Sequence, residues 1–340
     1  MKAARRLSLA LAAFACACTG KPAGAPAPWD TGFRGPGRLA ILFESGDPDV
    51  PRALVVHDAS GARALPVERP TAVRWISPRE LIVSQEVPPA KDDEYGLPST
   101  RLLRVDADTG EVKPFSRTAR WFDAEPDPRG ERLVAGVELD DQGASELVVL
   151  GFASHGETPL VEVERALDRP RWSPDGAALV VLQTINDPEG EATESGMSFG
   201  GQEVAFPRLF RVSSDLTGSI ALLRDGDDSH APLAAGGSLP LWWGPKGIYA
   251  RQRRGLVLCD PDDGGCKSVF APGGDRRVIE GRPAGPERAF LLVRDHSSAQ
   301  ADVDLPRELW EVDLNAGSGR VIYTSPNDVY LAGIDWVAGP

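Results

Sequence analysis

The stretch Arg171-Trp172-Ser173-Pro174-Asp175-Gly176, followed by the apolar run 177–182, decides the reading of this chain. Proline presets φ, glycine takes the positive-φ position, and a β-branched and aliphatic run follows, so the unit reads as a tight turn entering a buried strand. Degraded copies recur. Seven of the prolines that follow Gly, Ser or Asp mark them, at Gly35-Pro36, Ser77-Pro78, Asp127-Pro128, Ser173-Pro174, Gly244-Pro245, Gly285-Pro286 and Gly339-Pro340. Six of them lead within five residues into an apolar run such as Leu39-Ala40-Ile41-Leu42 or Phe290-Leu291-Leu292-Val293, and the successive spacings are 42, 50, 46, 71, 41 and 54 residues.

A period of this length carrying several short strands is the signature of a β-propeller blade. Aromatics precede the turn in several copies, at Phe33, Trp75, Trp172, Trp243 and Trp336. The WSPDG unit with its strand resembles the repeat of TolB-like, WD40-like propellers, a likeness running over about residues 33–340. LLRVDADTGEVKPF, from Leu102 to Phe115, resembles the second half of such a blade. The expected fold is all-β: a six-bladed propeller in which 329–337 supplies the inner strand of the blade begun at Gly37, pairing the chain's two ends and removing an exposed edge. The competing architecture is an irregular β-sandwich with coincidental Pro-Gly turns.

The 340 residues, with 41% hydrophobic and 26% charged content, suffice for a large core. Residues 1–17 read as a signal peptide: Lys2, Arg5 and Arg6 form a basic start, and 7–17 an apolar run too short to span a bilayer. The end of that run, Ala15-Cys16-Ala17-Cys18-Thr19-Gly20, resembles a bacterial lipoprotein cleavage site, with Cys18 as the lipidated residue and Cys16 as the alternative. Cleavage as an ordinary secretory signal is the other reading. The lipoprotein resemblance implies an exported chain held in the envelope by its lipid, facing the periplasm from the outer membrane. Residues 18–32, Pro- and Ala-rich through KPAGAPAPW, read as a tether, and 33–340 as the propeller. Loss of the three leader cations takes the formal charge from −13 to −16. That balance argues against nucleic acid or an anionic lipid surface as a partner. A monomer touching the membrane only through its lipid is the expectation.

Cys259 and Cys266 flank a six-residue Asp/Pro/Gly loop. In an exported chain they read as a local disulfide across a hairpin.

In a propeller all loops joining second to third strands lie on one face, and here several are long. Long loops on a rigid scaffold concentrate binding residues. The candidates are Asp92, Asp93, Glu94 and Tyr95 in the second blade; Glu189, Glu191, Glu194, Met197 and Phe199 in the fourth; and Asp302 and Asp304 in the sixth. The same acids would also serve a solvated, purely solubilising insertion.

Catalytic motifs are sparse. Gly196-Met197-Ser198-Phe199-Gly200 spells GxSxG, but neither a buried strand before the serine nor a helix after it is legible. The hydrolase domain of prolyl-oligopeptidase-type enzymes has no residues left to form it. His57, His155, His230 and His296 show no metal-ligand spacing and read as surface or loop residues. The resulting expectation is a non-catalytic scaffold binding an envelope protein or small ligand through the long-loop face, with no cofactor. The TolB resemblance implies protein–protein contact in the envelope. The rival is a Ca2+-dependent lactonase or hydrolase using acidic ligands in the central channel, although no DxDxDG loop is present.

Overall fold

The computed structural model describes residues 29–339 except 48–49, 51, 90–97, 139–144, 154–156, 164–166, 187–202, 213–219, 223–238, 253, 263–264, 297–304 and 327. Its 24 strands form six four-stranded antiparallel sheets. The first sheet holds β1 (Arg38–Ser45), β2 (Ala53–Asp58) and β3 (Gly61–Leu65). The second holds β4 (Pro70–Trp75), β5 (Glu80–Val87), β6 (Ser99–Asp106) and β7 (Val112–Pro114). In the third are β8 (Arg120–Pro126), β9 (Arg132–Glu138), β10 (Ser145–Gly151) and β11 (Glu157–Val163). The fourth has β12 (Leu167–Trp172), β13 (Ala178–Asn186), β14 (Glu203–Val212) and β15 (Ile220–Leu222). The fifth comprises β16 (Leu239–Gly244), β17 (Gly247–Gln252), β18 (Gly255–Cys259) and β19 (Cys266–Phe270). The sixth comprises β20 (Arg276–Pro283), β21 (Arg288–Asp295), β22 (Glu308–Asp313) and β23 (Ser318–Thr324). The last strand, β24 (Val329–Val337), returns to pair antiparallel with β1, from Arg38 opposite Val337 to Ser45 opposite Val329.

The leading strands touch in sequence, β24 to β4, β8, β12, β16, β20 and back to β24. The all-β propeller expected from the repeat is therefore the fold observed. Each sheet is sandwiched between two others, which is why the strand after each turn is apolar on both faces rather than alternating. Along β1, Ala40 and Leu42 pack with Val73, Leu81 and Val83 of the second sheet, whereas Leu39 and Ile41 pack with Phe290 and Leu292 of the sixth. Fourth strands form the rim, and β23 is largely exposed.

The turns explain how weak copies of the motif still fold. In 173–176 the Ser173 Oγ accepts the Ala178 N–H at 2.9 Å, Gly176 adopts φ +71°, and its N–H reaches the Ser173 carbonyl. The third copy lacks serine, but Asp127 accepts the N–H groups of Glu131 and Arg132 with its carboxylate, and Gly130 takes φ +67°. In these two copies a short side-chain acceptor at the first position closes the turn, whereas Gly244 and Gly285 open theirs with no side chain.

The aromatics divide by role. Trp75 Nε1 donates to the Asp335 carbonyl and Trp172 Nε1 to the Glu125 carbonyl, each tying a leading strand to the preceding sheet. An arginine of that preceding sheet then covers the ring: Arg38 lies over Trp75 at 5.4 Å and donates to the Pro78 carbonyl, and Arg132 lies over Trp172 at 4.9 Å and donates to the Gly176 carbonyl. Phe33 differs. Trp336 in β24 occupies the place before the first turn, and Phe33 instead packs edge-on against Phe290 at 5.6 Å. Trp29 meets Phe43 at 6.1 Å, so contact with the propeller begins ahead of residue 33.

Cys259 and Cys266 are bonded and directly opposed in register between β18 and β19, with a Cα–Cα distance of 4.0 Å. Replacing both with alanine is expected to cost about 2–3 kcal/mol, the chain-entropy value for so short a loop. Denaturant unfolding with and without reductant checks this: the wild type should lose that stability on reduction, and the double variant should not respond.

Candidate functional site

Register places one residue of each leading strand at the same level, directly opposite the third residue of its sheet's second strand. Asp335 pairs with Ala40, Arg74 with Ile82, Glu125 with Val134, Arg171 with Val180, Trp242 with Tyr249, and Arg282 with Phe290. Five of the six are charged, and they meet in the middle of the molecule. Glu125 is the hub. It lies 3.0 Å from Arg74, 3.1 Å from Arg282 and 3.4 Å from Arg171. Glu280 adds longer contacts of 3.6 Å to Arg74 and 3.8 Å to Arg282, and Asp335 lies 3.8 Å from Arg282. In the fifth sheet, where Trp242 stacks on Tyr249 instead, the Leu241 carbonyl substitutes by accepting from Arg171 Nε at 2.7 Å.

The belt is buried: Arg171 and Arg282 are each 2% exposed and Arg74 is 7% exposed. Burial alone would raise the Glu125 carboxyl pKa, but Arg282, Arg171 and Arg74 outweigh it and hold the group ionised below its ordinary range. For Asp335 burial prevails over Arg282 and Arg74, and its pKa rises. Arg171 is lowered to about 9, by burial first and by Arg282 and Arg74 as like charges, against the pull of Glu125. Arg74 moves upward, because Glu125, Glu280 and Asp335 together exceed its burial cost. This chemistry closes the channel at mid-height with the protein's own ion pairs. A cation entering there would face guanidiniums that already neutralise the carboxylates. Among the described residues no group of three or more His, Cys, Asp or Glu side chains is arranged to hold a metal.

The ends of β1, β5, β13, β17 and β21, where the loops to the next strand leave, share the face at which the leading strands begin. All eleven loop residues named from the sequence, Asp92–Tyr95, Glu189, Glu191, Glu194, Met197, Phe199, Asp302 and Asp304 included, lie outside the described residues, as do Cys16, Cys18 and Ser198. The belt itself was missed in the sequence, although a signal existed. A charged residue stands directly before Trp75, Trp172 and Trp336, and before Pro126 and Pro283 where the aromatic is lost. Its mixed signs disguised a single structural position.

His57 corrects the reading of the histidines as surface groups: it is 0% exposed in β2. Alternation in a strand buried on both faces leaves it no route to solvent, and Thr31 Oγ1 shares a hydrogen bond with its Nδ1 at 3.3 Å. The Nε2 has no partner. His155 and His230 lie outside the described residues.

No protein-family model matches the chain, and no curated protein sequence does. Solved structures do. TolB from Acinetobacter baumannii superposes with a TM-score of 0.60 at 13% identity, covering 91% of this chain and 69% of that one. The fold is a TolB-like β-propeller. The putative TolB from Agrobacterium tumefaciens matches at TM-score 0.51 and 15% identity, over 89% of this chain and 99% of that one. The β-propeller domain of the Trilobed protease from Pyrococcus furiosus gives 0.51 at 13% identity, over 87% and 97%. At such identities the likeness concerns the TolB-like propeller fold alone.

Proposed function

We propose that this chain is an exported, lipid-anchored, non-catalytic propeller whose six sheets are the blades of one closed ring, and that it acts as a scaffold holding an envelope protein or small ligand on its long-loop face. The observation that carries this reading is the belt around Glu125. With Arg74, Arg171 and Arg282 occupying the channel centre at 3.0–3.4 Å from that carboxylate, binding moves to the face. The same belt weighs against the calcium-dependent hydrolase, because Glu125, Glu280 and Asp335 are the acids such a metal would need. Export rests on the basic-then-apolar start of the sequence and on the bonded Cys259–Cys266 pair, which fits an oxidising compartment.

The test is crosslinking in envelope preparations from cells making the full chain or a form with residues 187–202 replaced by a short turn. That replacement leaves β13 and β14 intact. Capture of a specific protein by the full chain and its loss in the replaced form is the expected result. Equal capture by both, or none by either together with turnover of a lactone or ester, would overturn the scaffold reading.

A further inference from the structure

The chain carries an acidic surplus, 50 Asp and Glu against 37 Lys and Arg, and most described arginines sit on a carboxylate. Three near one mouth of the channel do not. Arg169 lies on β12, Arg251 pairs with Leu239 near the end of β17, and Arg277 is the second residue of β20. The strands β12, β16 and β20 are consecutive in the ring, and β17 also touches β20, so the three arginines gather on the long-loop face around the fifth sheet.

Their neighbours show what is missing. Arg276 is held by Glu308 at 3.0 Å and Asp295 at 3.3 Å, and Arg254 by Asp275 at 2.9 Å, so the nearby acids are engaged. Asp123 accepts the Arg169 backbone N–H at 3.1 Å. Among the described residues no ion pair reaches the guanidiniums of Arg169, Arg251 or Arg277. Arg277 also stands directly across the ladder from Arg294, so a third strand position adds positive charge to this end of the sheet. Nearby, the Nε2 of the half-buried His296 has no hydrogen-bond partner. Burial first, then Arg169 and Arg277, lower Arg251 to about 10, which marks how closely these cations crowd. Among the described residues these cations crowd with no carboxylate between them, the setting in which an anion arriving from outside would be held.

We propose that Arg169, Arg251 and Arg277 form a binding site for a small oxyanion, a phosphate or carboxylate group, at the channel mouth between the fourth and sixth sheets. Guanidiniums suit either because their planar forks match paired oxygens. The site stands independently of the scaffold reading.

The test is calorimetric titration of the full chain at low ionic strength with inorganic phosphate and, separately, with citrate, on the wild type, Arg251→Gln, Arg277→Gln and Arg320→Gln. Arg320 serves as control because it sits on the rim, paired with Glu311. Saturable binding weakened at least tenfold by Arg251→Gln and by Arg277→Gln, and unchanged by Arg320→Gln, is expected. Heat with phosphate alone identifies a phosphoryl ligand, and heat with citrate alone a carboxylate. Without anion, Arg277→Gln should melt no lower than wild type, since it relieves repulsion. No saturable binding of either anion, undiminished binding in both variants, or a lower melting temperature for unliganded Arg277→Gln would overturn the proposal.

Discussion

Glu125→Gln should cost roughly 3–5 kcal/mol of folding stability, the range for removing one partner of a buried ion pair. The amide keeps the shape but leaves Arg74 and Arg282 with only the longer contacts of Glu280 and Asp335, and Arg171 with no carboxylate partner among the described residues, although none of the three is more than 7% exposed. The like charges that already pull Arg171 down would then act without their counterweight. Glu311→Gln is the contrast: its partners Arg288 and Arg320 are exposed, so about 1 kcal/mol or less is expected. Urea unfolding of both variants checks the pair. Equal small losses would mean that the belt contributes nothing beyond a surface ion pair, and the account of the closed channel would fail with it.

Acid should remove a second, separate part of the stability through His57. Burial pushes its pKa down to about 4 from 6.5, with Asp30 and Asp58 opposing and Arg34 assisting. Because the folded value is the lower one, the unfolded chain binds the proton first as pH falls. The neutral-histidine stability is whole above pH 6.5, declines between 6.5 and 4, and is spent below 4. With 1.36 kcal/mol for each unit of pKa, the loss is roughly 3 kcal/mol. Protonation would also put charge on the Nε2, which has no partner, and disturb the Thr31 contact that pins the segment before β1. Asp30, held at about 2 chiefly by Arg34, titrates in a lower window and does not confuse the measurement. Denaturation midpoints at pH 7.5, 5.5 and 4.5 should fall for wild type and much less for His57→Gln. Parallel profiles would dismiss His57 as the titrating group.

Much of the architecture was legible because the controlling signals are local. The second strands β1, β5, β9, β13, β17 and β21 announce themselves as apolar runs after a Pro turn, since a sheet covered on both faces needs apolar side chains on both. The hairpin of Cys259 and Cys266 was visible for the same reason: seven residues of separation and a turn-forming loop leave little geometric freedom. The leading strands were harder. Residues 120–126, RWFDAEP, and 276–283, RRVIEGRP, carry charges in places where a periodic pattern would want apolar groups. Bulges between Phe122 and Glu125 and between Val278 and Glu280 break whatever alternation remains.

By itself, then, the sequence determined the turn chemistry, the propeller class, the return of 329–337 to β1, and the disulfide, all matters of short-range conformation or of a repeat long enough to count. Only the tertiary structure decided that Arg74, Glu125, Arg171, Arg282 and Asp335 share one level, because residues as much as 261 positions apart become neighbours solely through the ring. It likewise decided that His57 is buried and that Arg169, Arg251 and Arg277 crowd one mouth. A charge written in sequence has no sign of its surroundings; whether it is paired, neutralised or left to seek an external partner depends on which strands the closed ring places beside it.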